Sequence, residues 1–324
     1  MQVSGHNVKL SVLMVTYNHE KFISQALESI LTQRVGFDYE IVIGEDCSTD
    51  STRAIVMDYR QKYPDIIKLL LPDNNRGMMC NFMKTFEACS GTYIAMLEGD
   101  DFWTDPFKLQ KQVDYLDSHP ESVACFHNAQ IEYENEPGKQ NFFHATQMKD
   151  SYTLLDILNE SIIPTCSTVF RAGLFGMFPD WYSSMPMGDW PLHVMNAQHG
   201  DYGYLAEVMA TYRVHDGGVW SSQKRIDILS KTIFARDVIR NYLGCSYKTI
   251  VNIKTAGLYD EKVSIEYGDL NVVKLAVAAF YSLYNYPDYT RFVSHRRTFL
   301  NCVRRKVGLR TFLRAKLRAV KMIR

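Results

Sequence analysis

Hydrophobic and polar positions along the first half of the chain follow two periods in turn. Short apolar runs at Lys9 to Tyr17, Tyr39 to Glu45, Ile66 to Leu71 and Tyr93 to Leu97 read as buried strands. Between them, apolar residues recur at helical spacing. One stripe holds Phe22, Ala26, Leu27, Ile30 and Leu31. A second helix runs from the cap-rich cluster Ser48-Thr49-Asp50-Ser51-Thr52 to Pro64, and a third carries Phe82, Phe86 and Ala88 behind the turn Asn74-Asn75-Arg76-Gly77. Pro106 opens a fourth, with Phe107, Leu109, Val113 and Leu116. Strands and helices alternating at this rhythm predict an α/β fold with a mostly parallel central sheet and helices on both faces.

The second half is less regular. Val123 to Tyr133 reads as a strand, Glu134 to Gln140 as a loop, Tyr152 to Asn159 as a short helix and Thr165 to Phe170 as a strand behind Pro164. A helix opens at Pro191, and a strand from Ala210 runs into the Gly217-Gly218 turn. After about Gln223 the pattern is helical, with Ile226, Leu229, Ile233 and Val238, then Leu270, Val273, Val277, Phe280 and Leu283. The expected organisation is one α/β domain over 1–222 and a helical C-terminal region over 223–324.

Composition narrows this picture little, and charge changes it in one place. Apolar residues at 46% and charged residues at 22% are ordinary for a globular chain. The first residues lack a charged-then-apolar leader, and no window approaches 18 uninterrupted apolar residues. The expectation is therefore a cytoplasmic chain without signal peptide or transmembrane helix. Seven scattered cysteines with no C-x-x-C pair fit reduced thiols better than a disulfide framework or zinc site. The formal net charge of zero conceals an asymmetry: from Tyr289 onward there are 12 Lys or Arg and no acid, leaving 24 basic residues against all 36 acidic ones before it. Within that tail Leu309, Phe312, Leu313, Leu317 and Val320 fall near one face, as in a helix lying on an anionic membrane surface. A packed or solvated helix and a disordered tail have the same composition. A nucleic-acid arm would too, but the stacking aromatics and groove motifs of a nucleic-acid reader are absent.

The candidate chemistry sits at predicted strand ends, where open α/β sheets bind ligands. Glu98, Asp100 and Asp101 follow the fourth strand within four residues. Three carboxylates so close repel one another unless donors or a cation hold them, and a hard divalent ion shared with a phosphate would serve. A solvated acidic turn is the plain alternative. The other strand ends offer Thr16, Glu45, Asp46 and Arg76. Neither G-x-G-x-x-G nor G-x-x-x-x-G-K-[ST] occurs at the first strand-helix turn, which excludes the dinucleotide fingerprint and the P-loop.

Taken together, Val-Thr-Tyr-Asn at 15–18, Glu-Asp-Cys-Ser-Thr-Asp at 45–50, Asn-Arg-Gly at 75–77 and Glu-Gly-Asp-Asp at 98–101 resemble family 2 glycosyltransferases over roughly residues 8 to 220. The resemblance implies the GT-A fold and transfer of a sugar, with inversion, from a nucleotide-sugar. The family often has Asp where this chain has Glu45 and Glu98, a difference of one methylene in reach. By the resemblance, Thr16, Tyr17 and Glu20 lie near the nucleoside, Asp46 or Glu45 near the base and Glu98 near the ribose. Arg76 and Arg213 then face the diphosphate, while Asp100 is the main ligand of Mg²⁺ or Mn²⁺ and His215 reaches the metal or diphosphate from the far side.

An inverting transfer needs one base for the acceptor hydroxyl. Asp189, in Met187-Gly188-Asp189-Trp190-Pro191, matches the family's position for it; capping the helix at Pro191 is the alternative role. His193 is a second candidate base, and Asp101, Trp190 and His193 are acceptor-side candidates. The resemblance implies an enzyme moving a sugar, expected to be UDP-linked, to a cell-surface glycan or lipid-linked acceptor, peripheral on the inner face of the cytoplasmic membrane. A sugar nucleotidyltransferase would share the sheet and metal acids, but the glycine-rich basic loop after strand one is missing. A non-catalytic nucleotide-sugar-binding module would have no need of Asp189.

Overall fold

In the computed structural model of the protein, residues 8–146 and 148–268 are described. The amphipathic helix expected over Asp269 to Tyr284 and the basic tail over 289–324 lie outside them. The chain falls into two compact units, one ending at Ser222 and the other beginning at Gln223.

The first unit opens with β1 (Leu10–Thr16), α1 (Ile23–Leu31), β2 (Tyr39–Glu45), α2 (Thr52–Lys62), β3 (Ile67–Leu70), α3 (Met78–Glu87) and β4 (Tyr93–Met96). These strands are parallel in the order β3-β2-β1-β4, as the alternation predicts. Apolar side chains alternate between the two faces of the sheet. Leu10, Val12, Met14, Ile41 and Ile43 bury one face against Ile23, Ala26, Leu27 and Ile30 of α1 and Val56 of α2. The other face receives α3. There β2 carries Gly44, where a Cβ would fall 2.0 Å from Thr85 Oγ1 and 2.6 Å from Asn81 Oδ1. Asn81 uses this closeness to donate its amide to the Gly44 carbonyl at 2.7 Å.

Beyond β4 the sheet becomes mixed. The chain continues through β5 (Phe102–Trp103), α4 (Lys108–Ser118), β6 (Ser122–Tyr133), β7 (Gln140–Phe142), β8 (Ser151–Tyr152), α5 (Leu154–Asn159), β9 (Val169–Arg171), α6 (Asp189–Asn196) and β10 (Asp201–Val214). The full order is β3-β2-β1-β4-β9-β6-β10-β5, and β9 runs antiparallel to both its neighbours. Three local expectations change. Thr165 to Ser167 form a 3₁₀ turn, because the Ser167 N–H and hydroxyl both fold back onto the Pro164 carbonyl (2.9 and 2.7 Å), so the strand starts only at Val169. Helix α6 opens at Asp189, with Gly188 as its cap residue. Strand β10 starts at Asp201, well before Ala210, and register shifts beside Val208 break its apolar alternation.

The second unit contains α7 (Arg225–Leu243) and α8 (Lys248–Gly268). They pair as a hairpin, tied by the Arg225 guanidinium on both Glu261 oxygens (2.6 and 2.8 Å) and by Lys262 on Ser230. No helix among the described residues is long and apolar enough to cross a membrane.

Candidate donor and catalytic site

The carboxyl ends of β1, β2 and β4 meet the end of β10. Register explains this convergence. Phe102 pairs with Thr211 and Trp103 with Ala210, so the acidic turn just before β5 lies beside the residues just after Thr211. The Arg213 N–H donates to Asp101 Oδ1 at 2.8 Å, and Arg213 Nη1 donates to the Asp100 carbonyl at 2.8 Å. Its guanidinium also bonds Gln25 and lies over the rings of Phe102 and Phe22, 4.4 and 5.1 Å from their centroids. The structure thus spends Arg213 on bracing the acidic turn.

Asp100 is the centre of the cluster. His215 Nε2 lies 3.0 Å from its Oδ2, and His19 Nε2 approaches the same oxygen at 3.6 Å. Asp100 Oδ1 and Asp101 Oδ2 are buried without a hydrogen-bond partner among the described residues. Ligand atoms of His19, Asp100 and His215 lie within 4.8 Å of one another, as do those of Glu98, Asp100 and Asp101. Burial would raise the Asp100 carboxyl, but the His215 hydrogen bond and the two imidazoles outweigh it and hold it below its usual range. Glu98 has no such relief, and the Arg213 N–H relieves Asp101 only in part. Burial and the neighbouring Asp100 charge push both well up, with Asp101 and Asp189 adding to the push on Glu98. Three clustered carboxyls that cannot all ionise, with two buried oxygens, Asp100 Oδ1 and Asp101 Oδ2, lacking a hydrogen-bond partner among the described residues, fit a divalent cation with oxygen and imidazole ligands.

Gly99 lets this turn close on β1. A Cβ there would sit 2.5 Å from Thr16 Oγ1 and 2.9 Å from His19 Nδ1. Thr16 and His19 are themselves in contact, Oγ1 to Nδ1 at 3.2 Å. Burial holds the His19 imidazole below its ordinary range despite the pull of Asp100. His19 is not among the site residues expected from sequence; a histidine three residues after a strand-end threonine is the one signal that points to it.

The expected nucleoside side is built from two loops laced together. Asn18, in the left-handed region at φ 56°, accepts from the Thr49 N–H, and Glu20 accepts from the Ser51 N–H. Tyr17 beside them is 42% exposed. Asp46 accepts from the Arg76 and Gly77 N–H groups and so fixes the loop on which the Arg76 guanidinium is exposed. Glu45 is corrected as a base contact. Its side chain is fully buried, bonded to the Arg53 guanidinium and the Ser48 N–H, with no face left for a ligand.

Asp189 stands in the first turn of α6, partly exposed, and its Oδ2 accepts from the Thr165 hydroxyl at 3.1 Å. It does not serve as a side-chain cap. The acceptor-side expectation for Trp190 and His193 is corrected. Trp190 is 5% exposed and donates its ring N–H to the Ile157 carbonyl, anchoring α6 on α5. His193 is 2% exposed, pairs with the Tyr202 hydroxyl at 3.2 Å, and burial pushes it down to about 4. Both sit on helix positions that face inward, which local sequence does not reveal. Asp101 is likewise buried, at 1% exposure.

A doubly covered sheet whose strand-end acids form candidate metal sites sharing Asp100, with a carboxylate on a neighbouring helix, has the architecture of a GT-A glycosyltransferase. The chain belongs to glycosyl transferase family 2, whose model matches residues 11–181. It is similar to the uncharacterized protein Rv1520 of Mycobacterium tuberculosis, 38% identical over 213 residues, 66% of this chain and 61% of that one. The chain thus spans about three fifths of that relative's length. TuaG of Bacillus subtilis, named provisionally as a teichuronic acid biosynthesis glycosyltransferase, is 28% identical over 218 residues, 66% of this chain and 82% of that one. Among solved structures, residues 1–349 of S. aureus TarS in complex with UDP-GlcNAc share the fold, with a TM-score of 0.65 at 19% identity, covering 92% of this chain and 90% of that one.

Proposed function

We propose that the chain is a metal-dependent inverting glycosyltransferase that moves a sugar from a UDP-linked donor to a hydroxyl of a cell-surface glycan or lipid-linked acceptor. The observation that carries this reading is Asp100, partly exposed, with its Oδ1 buried and unbonded among the described residues and His215 on its Oδ2, at the same sheet edge as a carboxylate on a separate helix, Asp189. The UDP-GlcNAc complex of TarS and the envelope-glycan name of TuaG support the donor and acceptor classes.

In this reading Asp189 removes the proton from the acceptor hydroxyl as its oxygen attacks the anomeric carbon, opposite the departing nucleoside diphosphate. One base suffices, unlike the paired carboxylates of a glycosidase. The Thr165 hydroxyl occupies Asp189 Oδ2 and leaves Oδ1 for the acceptor. Asp100 and His215 would hold Mg²⁺ or Mn²⁺, which when bound supplies positive charge to the diphosphate as it leaves. Arg76, on the loop held by Asp46, adds a guanidinium to the same phosphates. Tyr17 and Glu20 line the nucleoside side and Glu98 the ribose; the expected nucleoside contact of Thr16 is corrected, since it is 2% exposed with its hydroxyl on His19.

The test is calorimetric binding of UDP, GDP, dTDP and CDP with and without Mn²⁺, followed by analysis of the released product. Metal-dependent binding of UDP and release of UDP from a UDP-sugar are expected. Release of pyrophosphate, or no nucleotide binding, would overturn the reading. The basic segment 289–324 is assigned to an anionic membrane surface on the cytoplasmic side. Its deletion is expected to reduce binding to anionic vesicles while sparing donor hydrolysis, and unchanged vesicle binding would remove that assignment.

A further inference from the structure

We propose that His19 is a third protein ligand of the metal, completing a two-histidine, one-carboxylate site with Asp100 and His215 that selects first-row transition ions over Mg²⁺. The inference rests on the proposed metal-dependent reading and adds to it a residue and a selectivity.

Three observations carry it. First, His19 Nε2 and His215 Nε2 both face Asp100 Oδ2, at 3.6 and 3.0 Å. Ligand atoms about 3 Å apart are what bonds of ~2.1 Å at right angles produce around one ion. Second, the His19 ring is oriented from behind. Thr16 Oγ1 contacts Nδ1 at 3.2 Å, which fixes the ring and leaves Nε2 turned to Asp100. A hydrogen-bond partner on the far ring nitrogen is the usual support of a metal-ligating histidine. Third, Gly99 keeps the space open, since any side chain at 99 would strike both Thr16 and His19. The backbone therefore closes tightly enough to bring a residue of the β1–α1 connection onto the β4 acids.

The rival arrangement, Glu98 with Asp100 and Asp101, offers oxygen only. Asp101 Oδ1 is already bonded to the Arg213 N–H, which leaves only the buried Oδ2 of that side chain, and Asp101 is nearly fully buried. The two sites differ in the ion they favour. Carboxylate oxygens alone suit Mg²⁺ and Ca²⁺, whereas paired imidazoles favour Mn²⁺, Fe²⁺, Co²⁺ or Zn²⁺ over Mg²⁺.

Metal binding to the full chain with UDP present tests this without an assay of transfer. Mn²⁺, Co²⁺ and Mg²⁺ affinities are measured by calorimetry for the wild type, His19→Ala, Thr16→Val, His215→Ala and Asp100→Asn. Electron spin-echo spectroscopy of the Mn²⁺ form counts coordinated imidazole nitrogens, a readout that needs no variant. The expected result is two imidazoles in the wild type and one in His19→Ala, with Mn²⁺ affinity falling about tenfold or more and Mg²⁺ affinity changing much less. Thr16→Val is expected to weaken Mn²⁺ binding less than His19→Ala does. One imidazole in the wild type, or Mn²⁺ affinity within twofold on His19→Ala while Asp100→Asn abolishes it, overturns the role of His19 and leaves the metal-dependent reading intact. Mn²⁺ binding that survives in Asp100→Asn overturns both.

Discussion

Asp46 holds the head of α3 through Gly77. Its Oδ2 accepts the Gly77 N–H at 2.9 Å, while Oδ1 takes the Arg76 N–H at 2.8 Å. Gly77 has a φ of 84°, in the region that favours glycine, and is the residue from which α3 departs. A buried carboxylate at the end of β2 thereby sets where the loop carrying Arg76 leaves the sheet.

Asp46→Ala removes both anchors; the Gly77 N–H keeps its bond to Asn75 Oδ1 at 3.0 Å, while the Arg76 N–H is left to find water. A cost of about 2–3 kcal/mol in stability is expected, since the bonds lost are to a charged, buried acceptor. If Arg76 grips the diphosphate, UDP affinity falls as well, because the loop loses its position. Urea unfolding and UDP titration of Asp46→Ala beside Arg76→Ala check this. Wild-type UDP affinity in both variants would detach the loop from donor binding.

Asp189→Asn keeps the size and the Thr165 contact of the side chain but cannot take a proton. Turnover is expected to fall by about 10²–10⁴, the usual contribution of a general base, with UDP binding nearly unchanged. Single-turnover transfer and UDP calorimetry separate the two effects. Wild-type turnover in this variant would remove Asp189 as the base.

The parts legible in the sequence are those fixed by local pattern. Tyr39 to Glu45 and the apolar stripe of α1 follow directly from periodicity, and Asp100 and His215 meet as the motif order implies. Side-chain partners set by long-range register were not legible. Nothing local to Arg213 shows that Phe102 pairs with Thr211, the contact that turns its N–H onto Asp101. Glu45 and Asp46 look equivalent in the chain, yet Arg53, one helical segment later, takes the first while the 75–77 loop takes the second. Trp190 and His193 follow a candidate base closely, but their helix buries them.

Gly99→Ala is expected to be destabilising by about 1–3 kcal/mol, as overpacking of a tight contact usually is. The added methyl would meet Thr16 Oγ1 at 2.5 Å and Thr16 Cβ at 2.8 Å, and both belong to a strand that cannot move freely. Thermal unfolding of Gly99→Ala and of the double variant Gly99→Ala/Thr16→Ala tests the cause. Recovery of part of the loss in the double variant is expected; no recovery would place the strain elsewhere.

Lys108 makes stability depend on pH at the alkaline side. Its ammonium is fully buried, donates to Gln112 Oε1 at 2.7 Å and lies 4.1 Å from the Trp103 ring centroid, with no carboxylate bonded to it among the described residues. Burial pushes it down from the ordinary 10.5 to about 7. Between these values the unfolded chain holds a proton that the folded chain does not, so stability rises with pH, by up to about 1.4 kcal/mol per unit. Below about 7 the fold carries the cost of a buried charge; above 10.5 both states are neutral and the dependence ends. Lys108→Met keeps much of the apolar stem and removes the charge. The variant is expected to gain on the wild type as pH falls from 9.5 to 6.5, measured by urea unfolding at each pH. Parallel stability curves for the two proteins would show that Lys108 keeps its ordinary proton affinity in the folded state.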